Sequence, residues 1–462
     1  MLQAIAKVFS TFGPAIFVPV VIFIVALAAG VKTKSAVSAA LSAGVGLTGF
    51  NMVVGAFTPV ISPVINQMVK SAGVNLRILD IGWQSTSIVG YSSQMGLLYF
   101  GIAIVLQLFI FFIKWTDVFM VGDLWNNYTY MVWGSILYVI TKNVWLSLGL
   151  MVTQTLYTTL FSEMMEKRYS TYYHYPNCAL VSPHNLEGLP FAILMNYLLN
   201  KLHLYKVKLD PKSLKEKFGI IGEPMFLGVF VGLLIGVIGN IHSLGTLDAW
   251  GQILKVAITT SAVMVVYPKI AGIFAGAFAP LTQAFNQKAK NSSKKLRQWY
   301  LGVNPAVSYG ESATLITGIL CIPLLLGIAF VLPGNQTLPM VDLITLPSMC
   351  IVFATVTNGN VLKSLISAII WFTLGLLMCT AVAPYYTIVA KGVGVSIPAT
   401  AVMICSYVIL AKPFSGMLFF AFLSKNPVII TAVVIVYFVA TYIFKKHKIQ
   451  FHEFMEKQAL IE

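Results

Sequence analysis

Charge is what this sequence has least of. Of its 462 residues, 10% are charged and 58% hydrophobic, whereas ordinary soluble domains carry roughly 25% charge. A large soluble helical protein needs more charge on its surface, so that class is excluded first. Cysteine is also scarce: Cys178, Cys321, Cys350, Cys379 and Cys405 are scattered, four of them in apolar runs, with no CxxC pair. That placement argues against a disulfide framework or a thiolate metal site and reads as small buried hydrophobes. Neither GxxxxGK[ST] nor HExxH occurs, so ATP-driven pumping and zinc proteolysis are not expected, nor is a metal or cofactor.

The excess is in uninterrupted apolar length. PAIFVPVVIFIVALAAG (14–30), MGLLYFGIAIVLQLFIFFI (95–113) and PVIITAVVIVYFVATYIF (427–444) are nearly free of charge. Each is about long enough to cross ~30 Å of hydrocarbon at ~1.5 Å per residue. Similar runs lie near 36–57, 127–162, 218–239, 252–277, 311–332, 343–356 and 361–410. The expected fold is an all-α polytopic membrane protein with about ten or eleven transmembrane helices plus re-entrant hairpins. MLQAIAKVFSTFGP has one Lys, and no small-residue cleavage pattern follows it, so the first run counts as a span.

A formal net charge of +15 suggests nucleic acid, but in membrane proteins Lys and Arg collect in cytoplasmic loops. VKTKS (31–35), KLHLYKVKLDPKSLKEK (201–217), the 288–297 cluster and KKHK (445–448) are basic, whereas GNIHSLGTLDAWGQ (239–252) has neither Lys nor Arg. With the basic loops inside, the N-terminus is expected outside and the C-terminus in the cytoplasm, with no nucleic-acid partner. GAFTPVISPVINQMVKSAGVNLR (55–77) and GAFAPLTQAFNQKAKNSSKKLR (276–297) share one frame about 220 positions apart, with two basic residues in the first and five in the second. The charged copy is the one that falls inside. One phrase facing opposite ways implies an inverted repeat, a common transporter plan. The match continues through GWQSTSIVGYSSQ (82–94) with GVNPAVSYGESA (302–313), and MVGDL (120–124) with MVDL (340–343). Broken helices at matching places in two halves point to a substrate site.

The chain has fifteen acidic residues. Asp117, Glu163, Glu166, Asp210, Glu216, Asp248, Glu453, Glu456 and Glu462 read as loop or tail residues. Asp80, Asp123, Glu187, Glu223, Glu311 and Asp342 adjoin or interrupt apolar segments, where a charge costs about 2.5–3.5 kcal/mol and is a functional candidate by default. Asp80, Asp123, Glu223 and Asp342, each beside Gly, Trp or Pro, read better as caps of half-helix starts. CALVSPHNLEGLPFAILMNYLL (178–199) places His184, Asn185 and Glu187 at a polar tip broken by Pro183 and Pro190, the shape of a re-entrant hairpin. Asn304 donates and accepts, which suits a substrate hydroxyl, and Glu311 is a candidate base for a hydroxyl proton. Gln84, Ser85, Thr86 and Ser87 offer the matching inventory in the first half. With Trp83, Tyr91, Trp125, Tyr130 and Tyr309 they describe a pocket for a neutral polyhydroxylated ligand.

LDIGWQSTS (79–87), VGDLWNNY (121–128), PHN (183–185), FGIIGEP (218–224), NPAVSYGESA (304–313) and VLPGNQTLPMVDL (331–343) resemble the galactitol-type IIC component of the bacterial phosphotransferase system, in the ascorbate–galactitol superfamily. The resemblance runs from the first span to about residue 363. It implies a multi-pass protein of the bacterial inner membrane, a homodimer with a dimerising scaffold and a mobile core that carries the sugar in an elevator motion. By the repeat, 1–77 and 201–297 are the scaffold parts, 78–200 and 298–426 the core parts, and 427–462 the last span and tail. The resemblance places the substrate pocket at Ser85–Ser87, the Trp125–Tyr130 stretch with Asn126, His184 and Asn185, the Asn304–Val307 break, and Thr357–Asn358. In the family pattern an aspartate in an Asp-Pro-Ala phrase stands where this chain has Asn304. Asn cannot take a proton, so a base role passes to Glu311 or His184. The resemblance also implies a partner: a phosphorylated IIB protein, with IIA upstream, hands phosphate to the sugar. The longest polar stretch, 201–217, is too short to be either domain, so IIB and IIA are expected on other polypeptides. The rival reading is a proton-coupled sugar or polyol symporter, with the proton on Glu311 or Asp123.

Overall fold

The computed structural model describes residues 14–28, 30–71, 76–120, 124–207, 209, 216, 223–277, 280, 298–395, 397 and 401–461. The basic cluster at 288–297 and Asp123 lie outside them.

The first half begins with α1 (Pro14–Ala28) and α2 (Thr33–Ser71), followed by β1 (Ile78–Asp80), a short α3 (Trp83–Ser92) and a long α4 (Gln94–Phe112). Then come β2 (Val118–Phe119), α5 (Leu124–Thr141), α6 (Val144–Tyr172), β3 (Cys178–Leu180), the four-residue α7 (Pro183–Leu186) and α8 (Leu189–Lys201). In the second half α9 (Pro224–Gly239) and α10 (Leu247–Gly276) are followed by β4 (Tyr300–Val303), a 3-10 turn (Pro305–Val307), α11 (Ser312–Val331) and β5 (Thr337–Leu338). A second 3-10 turn (Val341–Thr345), α12 (Leu346–Met349), α13 (Ile351–Val356), α14 (Val361–Gly392), β6 (Met403–Cys405), α15 (Tyr407–Leu410) and α16 (Pro413–Leu423) complete the same order. Last come α17 (Pro427–Lys446) and α18 (Lys448–Ala459).

Among the described residues, six helices are long and apolar enough to cross a bilayer: α4, α6, α11, α14, α17 and the Leu247–Val266 stretch of α10. The protein is an all-α polytopic membrane protein. Several apolar runs are cut differently from a one-run, one-span reading. The run at 36–57 lies inside the 39-residue α2, and the run at 127–162 is divided between α5 and α6. The run at 343–356 is broken into a 3-10 turn and two short helices, with Pro347 in the first turn of α12. All five cysteines are free and buried, as their apolar settings suggested.

Among the described residues, six strands of two to four residues form two parallel sheets in the orders β5-β1-β6 and β2-β4-β3. Each half's first strand therefore lies between the second and third strands of the other half, with Ile78 opposite Thr337 and Met403, and Leu301 opposite Phe119 and Cys178. Strands this short show no period of two, and the sequence reading had none of them. Gly302 is required at the centre of its sheet: a Cβ there would stand 2.7 Å from Val181 and 3.0 Å from the Phe119 carbonyl.

Helices α1, α2, α9 and α10 pack on one another. Gly228, Gly232 and Gly236, each one turn from the next, lay bare backbone of α9 against Ser261, Ala257 and Ile253 of α10; a Cβ would come within 2.6, 2.6 and 2.9 Å of their Cα atoms. Without a hydrophobic drive between helices in lipid, such close backbone approach supplies the packing energy.

The tail is fastened to the second span of the first half. Glu163 and Glu166, read from sequence as loop residues, are buried in α6, and Lys448 of α18 meets Glu163 at 2.9 Å, Glu166 at 2.7 Å and Asp117 at 2.8 Å. Arg168 pairs with Glu456 at 2.7 Å and donates to the Thr355 carbonyl at 3.1 Å. The cation that makes these carboxylates tolerable lies some 280 positions away, where no local pattern announces it. His452, on the same tail helix, is pushed down to about 4 by burial and by Lys448, against a hydrogen bond to Glu163 that raises it, so it is neutral at physiological pH.

Candidate functional site at the sheet ends

Both sheets end in polar residues that start the short helices. Asp80 closes β1 and is fully buried. Its Oδ1 accepts from the Gly82 and Tyr407 amides at 3.0 and 3.2 Å, and its Oδ2 from the Met340 and Asp342 amides at 3.0 and 2.8 Å. Asp342 reciprocates. It accepts from the Trp83 amide at 2.9 Å, the Ser406 hydroxyl at 2.6 Å and the Val408 amide at 3.1 Å. A buried carboxylate is tolerated when donors replace water, and here most of the donors come from the opposite half. Asp80 and Asp342 are thus caps, as their settings suggested. Glu223 holds the N-cap position of α9 without a side-chain bond to its first turn, so capping through its carboxylate is not realised there.

At the other sheet, Asn304 follows β4 as Asp80 ends β1, and its Oδ1 caps the 3-10 turn through the Ala306 amide at 2.9 Å. Its Nδ2 donates to none of the described residues, which leaves a donor beside the end of β3. Beyond β3, Pro183 stands at the first position of α7 and Pro190 in the first turn of α8, so the chain breaks at Glu187–Gly188 and His184, Asn185 and Glu187 are held in place. The His184 ring lies 3.1 Å from both the Thr129 and Ser182 hydroxyls. Its carbonyl accepts from the Lys412 ammonium at 2.6 Å. Glu187 Oε2 accepts from the Ser415 amide at 2.9 Å, and Asn185 Nδ2 donates to the Ser348 carbonyl at 2.5 Å. Val307 is buried, and its carbonyl accepts from Tyr175 at 2.6 Å.

Glu311 belongs to a second cluster. It is the N-cap of α11, with Oε1 on the Ala313 amide at 3.0 Å and Oε2 on the Thr314 amide and hydroxyl at 2.9 and 2.8 Å. Beside it runs the turn from Thr357 to Asn360. A Cβ on Gly359 would touch Ala313 at 3.4 Å, and Asn358 accepts from Arg168. The Thr357 hydroxyl is buried, donating to Phe353 at 2.9 Å and bonded to Ser364 at 2.7 Å. Ser85 and Thr86 lie at the first sheet. Ser85 donates to the Gly82 carbonyl and receives Tyr386, both at 2.7 Å, while Thr86 donates to Trp83 at 2.7 Å. Tyr130 is buried with its ring 6.2 Å from Tyr99. The side chains of Gln84, Ser87, Tyr91, Trp125 and Asn126 lie outside the described ones.

Hydrogen bonds therefore join His184 and Asn185 to Thr129, which lies within the Trp125–Tyr130 stretch, and to three residues absent from the sequence-based set: Ser182, Ser348 and Lys412. Lys412 carried a signal. A lysine in apolar surroundings costs as much as an intramembrane acid, and both Lys363 and Lys412 interrupt such stretches. Ser182 is an ordinary small hydroxyl and carried none.

A family model described as "PTS system sugar-specific permease component", EIIC-GAT, matches residues 7–401. The chain belongs to this family. Its relatives include the "PTS system galactitol-specific EIIC component" of Escherichia coli (strain K12), 26% identical over 403 residues, 85% of this chain and 86% of that one. The "Putative permease IIC component" of the same organism is 24% identical over 385 residues, 83% of this chain and 86% of its own length. The protein is a membrane-embedded sugar permease of the phosphotransferase system, and a IIC component works with a sugar substrate and a IIB partner. That agrees with the resemblance read from the six quoted phrases.

Proposed function

We propose that this permease carries galactitol or a closely similar neutral polyol into the cell, where a phosphorylated IIB protein on another polypeptide, charged by IIA, phosphorylates it. The observation that carries the reading is the end of the β2-β4-β3 sheet, where His184, Asn185, Thr129, Ser182 and Asn304 gather hydroxyl, amide and imidazole groups. Such groups both donate and accept, as a polyol requires; the galactitol-specific relative supports the same choice. The substrate-binding set is Gln84, Ser85, Thr86, Ser87, Asn126, Tyr130, His184, Asn185, Glu187, Asn304, Val307, Glu311, Thr357 and Asn358. Within it Glu311 is the base and His184 holds the reacting end of the sugar. In a competition assay on purified permease, galactitol and other hexitols or pentitols should displace one another. Tighter binding of a sugar acid or an organic cation than of any polyol contradicts the reading.

The exchange of strands between halves supports an inverted repeat. In it, 1–77 and 201–297 build a scaffold that dimerises, and 78–200 and 298–426 build a core that moves as an elevator. The mutual packing of α1, α2, α9 and α10 supports the same division. We place the N-terminus outside and the C-terminus, with 445–448, in the cytoplasm of a bacterial cell. Cysteines introduced at Ser71 and Ser243 should react with an impermeant maleimide added outside, and one at Ser292 should not. Labelling at Ser292 contradicts the orientation and the inverted repeat with it.

A further inference from the structure

Two buried lysines stand outside the capping and tail contacts: Lys363, whose ammonium donates to Asn196 and Asn200, both at 3.0 Å, and Lys412. Lys412 is 1% exposed, and its ammonium donates to one carbonyl, that of His184 at 2.6 Å. An ammonium has three N–H donors, and among the described residues none accepts the other two. The carboxylates that act on it electrostatically are Glu187 and Asp342. Both Asp342 oxygens already accept from Trp83, Ser406 and Val408. Glu187 is different: Oε2 is held by the Ser415 amide, with the Ser415 hydroxyl and the Phe414 amide close to the same carboxylate, while buried Oε1 meets no described donor at hydrogen-bond geometry. Asn185 repeats the pattern, with Nδ2 on the Ser348 carbonyl and a buried Oδ1 that accepts from no described residue. A purely structural peg for the His184 carbonyl accounts for one of the three lysine donors and for neither free acceptor. Leaving such groups unmatched in a buried corner is costly.

We propose that Lys412 is a hydroxyl-binding residue of the sugar site and, with Glu187, the pair that makes the site select neutral polyols over sugar acids. The proposal rests on the polyol reading above. A hydroxyl accepts from the ammonium and donates to Glu187 Oε1 or Asn185 Oδ1 in the same pose, so adjacent hydroxyls satisfy both kinds of free group. A carboxylate satisfies the lysine alone and sets its charge against Glu187 and its lone pairs against Asn185. The repulsive half of the pair supplies the discrimination.

The test uses full-length permease and calorimetric binding of galactitol and galactonate. Lys412→Gln and Lys412→Met should each weaken galactitol binding by about tenfold or more, the scale expected when a site built to hydrogen-bond a hydroxyl loses its partner. Glu187→Gln should shift the galactonate-to-galactitol affinity ratio upward by about tenfold, since the lysine charge then stands unopposed. A Lys412→Gln protein with wild-type elution and melting temperature that binds galactitol within about twofold overturns the proposal. Where the lysine variants do not fold, the Glu187→Gln ratio decides, and an unchanged ratio overturns it. A wild-type permease that binds sugars other than polyols, with both sets of variants still shifting affinity, separates failure of the polyol reading from failure of the lysine assignment.

Discussion

Glu311→Gln is expected to keep galactitol binding within about tenfold while lowering its phosphorylation by IIB by about 10²–10⁴-fold, the contribution of a positioned general base. The sugar hydroxyl must lose its proton as phosphorus leaves the IIB donor, and Asn304 cannot take it. An ionised carboxylate offers roughly four lone-pair sites. At Glu311 the Ala313 amide and the Thr314 amide and hydroxyl occupy three of them. The remaining site is on Oε1, on a side chain that its own cap holds still. Glutamine retains one acceptor for the first turn of α11, while its amide nitrogen leaves the donors on the other oxygen unmatched; with the lost N-terminal charge, about 0.3–1 kcal/mol, and about 1–3 kcal/mol for the lost cap bond, the variant should still fold. His184→Ala should weaken binding and phosphorylation together, because it removes a group that Thr129 and Ser182 position. The assay is initial-rate phosphorylation with purified phosphorylated IIB, alongside equilibrium binding. Normal phosphorylation by Glu311→Gln would reduce Glu311 to the cap of α11.

Asp80→Ala should abolish folding. Its two oxygens accept from four buried backbone amides, those of Gly82, Met340, Asp342 and Tyr407. A buried donor left without its acceptor costs about 1–3 kcal/mol, so losing all four approaches or exceeds the ~5–15 kcal/mol that holds a typical domain folded. Three of the four belong to the second half, so the loss unties the halves from each other and not one turn alone. Asparagine is no rescue, because its amide would present hydrogens to two of the donors. Fluorescence-detected size exclusion in detergent should show aggregate for both variants. A monodisperse Asp80→Ala peak with a melting temperature within a few degrees of wild type contradicts this role.

Helices were legible wherever apolar runs were long, because composition alone sets membrane-spanning length. The breaks were legible too. Pro183, Pro190 and the Asn304-Pro305 phrase lie where α7, α8 and the 3-10 turn begin. The strands were not, since pairs as short as Val118–Phe119 and Thr337–Leu338 carry no periodic signal. Nor were long-range partners. Lys448 meets Glu166 and Asp342 meets Trp83 across most of the chain, and only the fold brings them together. Asn304 and Glu311 stand in one broken segment of the sequence, GVNPAVSYGESA. In the structure each caps its own turn, and the first turn of α11 lies against the Thr357–Asn360 turn through Ala313 and Gly359. The His184 cluster and the Glu311 cluster are thus held by different hydrogen bonds, and in the proposed function one polyol reaches both.

The most direct measurement is galactitol uptake into vesicles containing only this permease, with and without phosphorylated IIB inside. With phosphorylated IIB, galactitol phosphate should accumulate in the lumen. Without it, the sugar should reach no more than its outside concentration, whatever pH gradient is imposed. Accumulation of free galactitol driven by a proton gradient, in the absence of IIB, would contradict phosphorylation-coupled transport and establish a symporter.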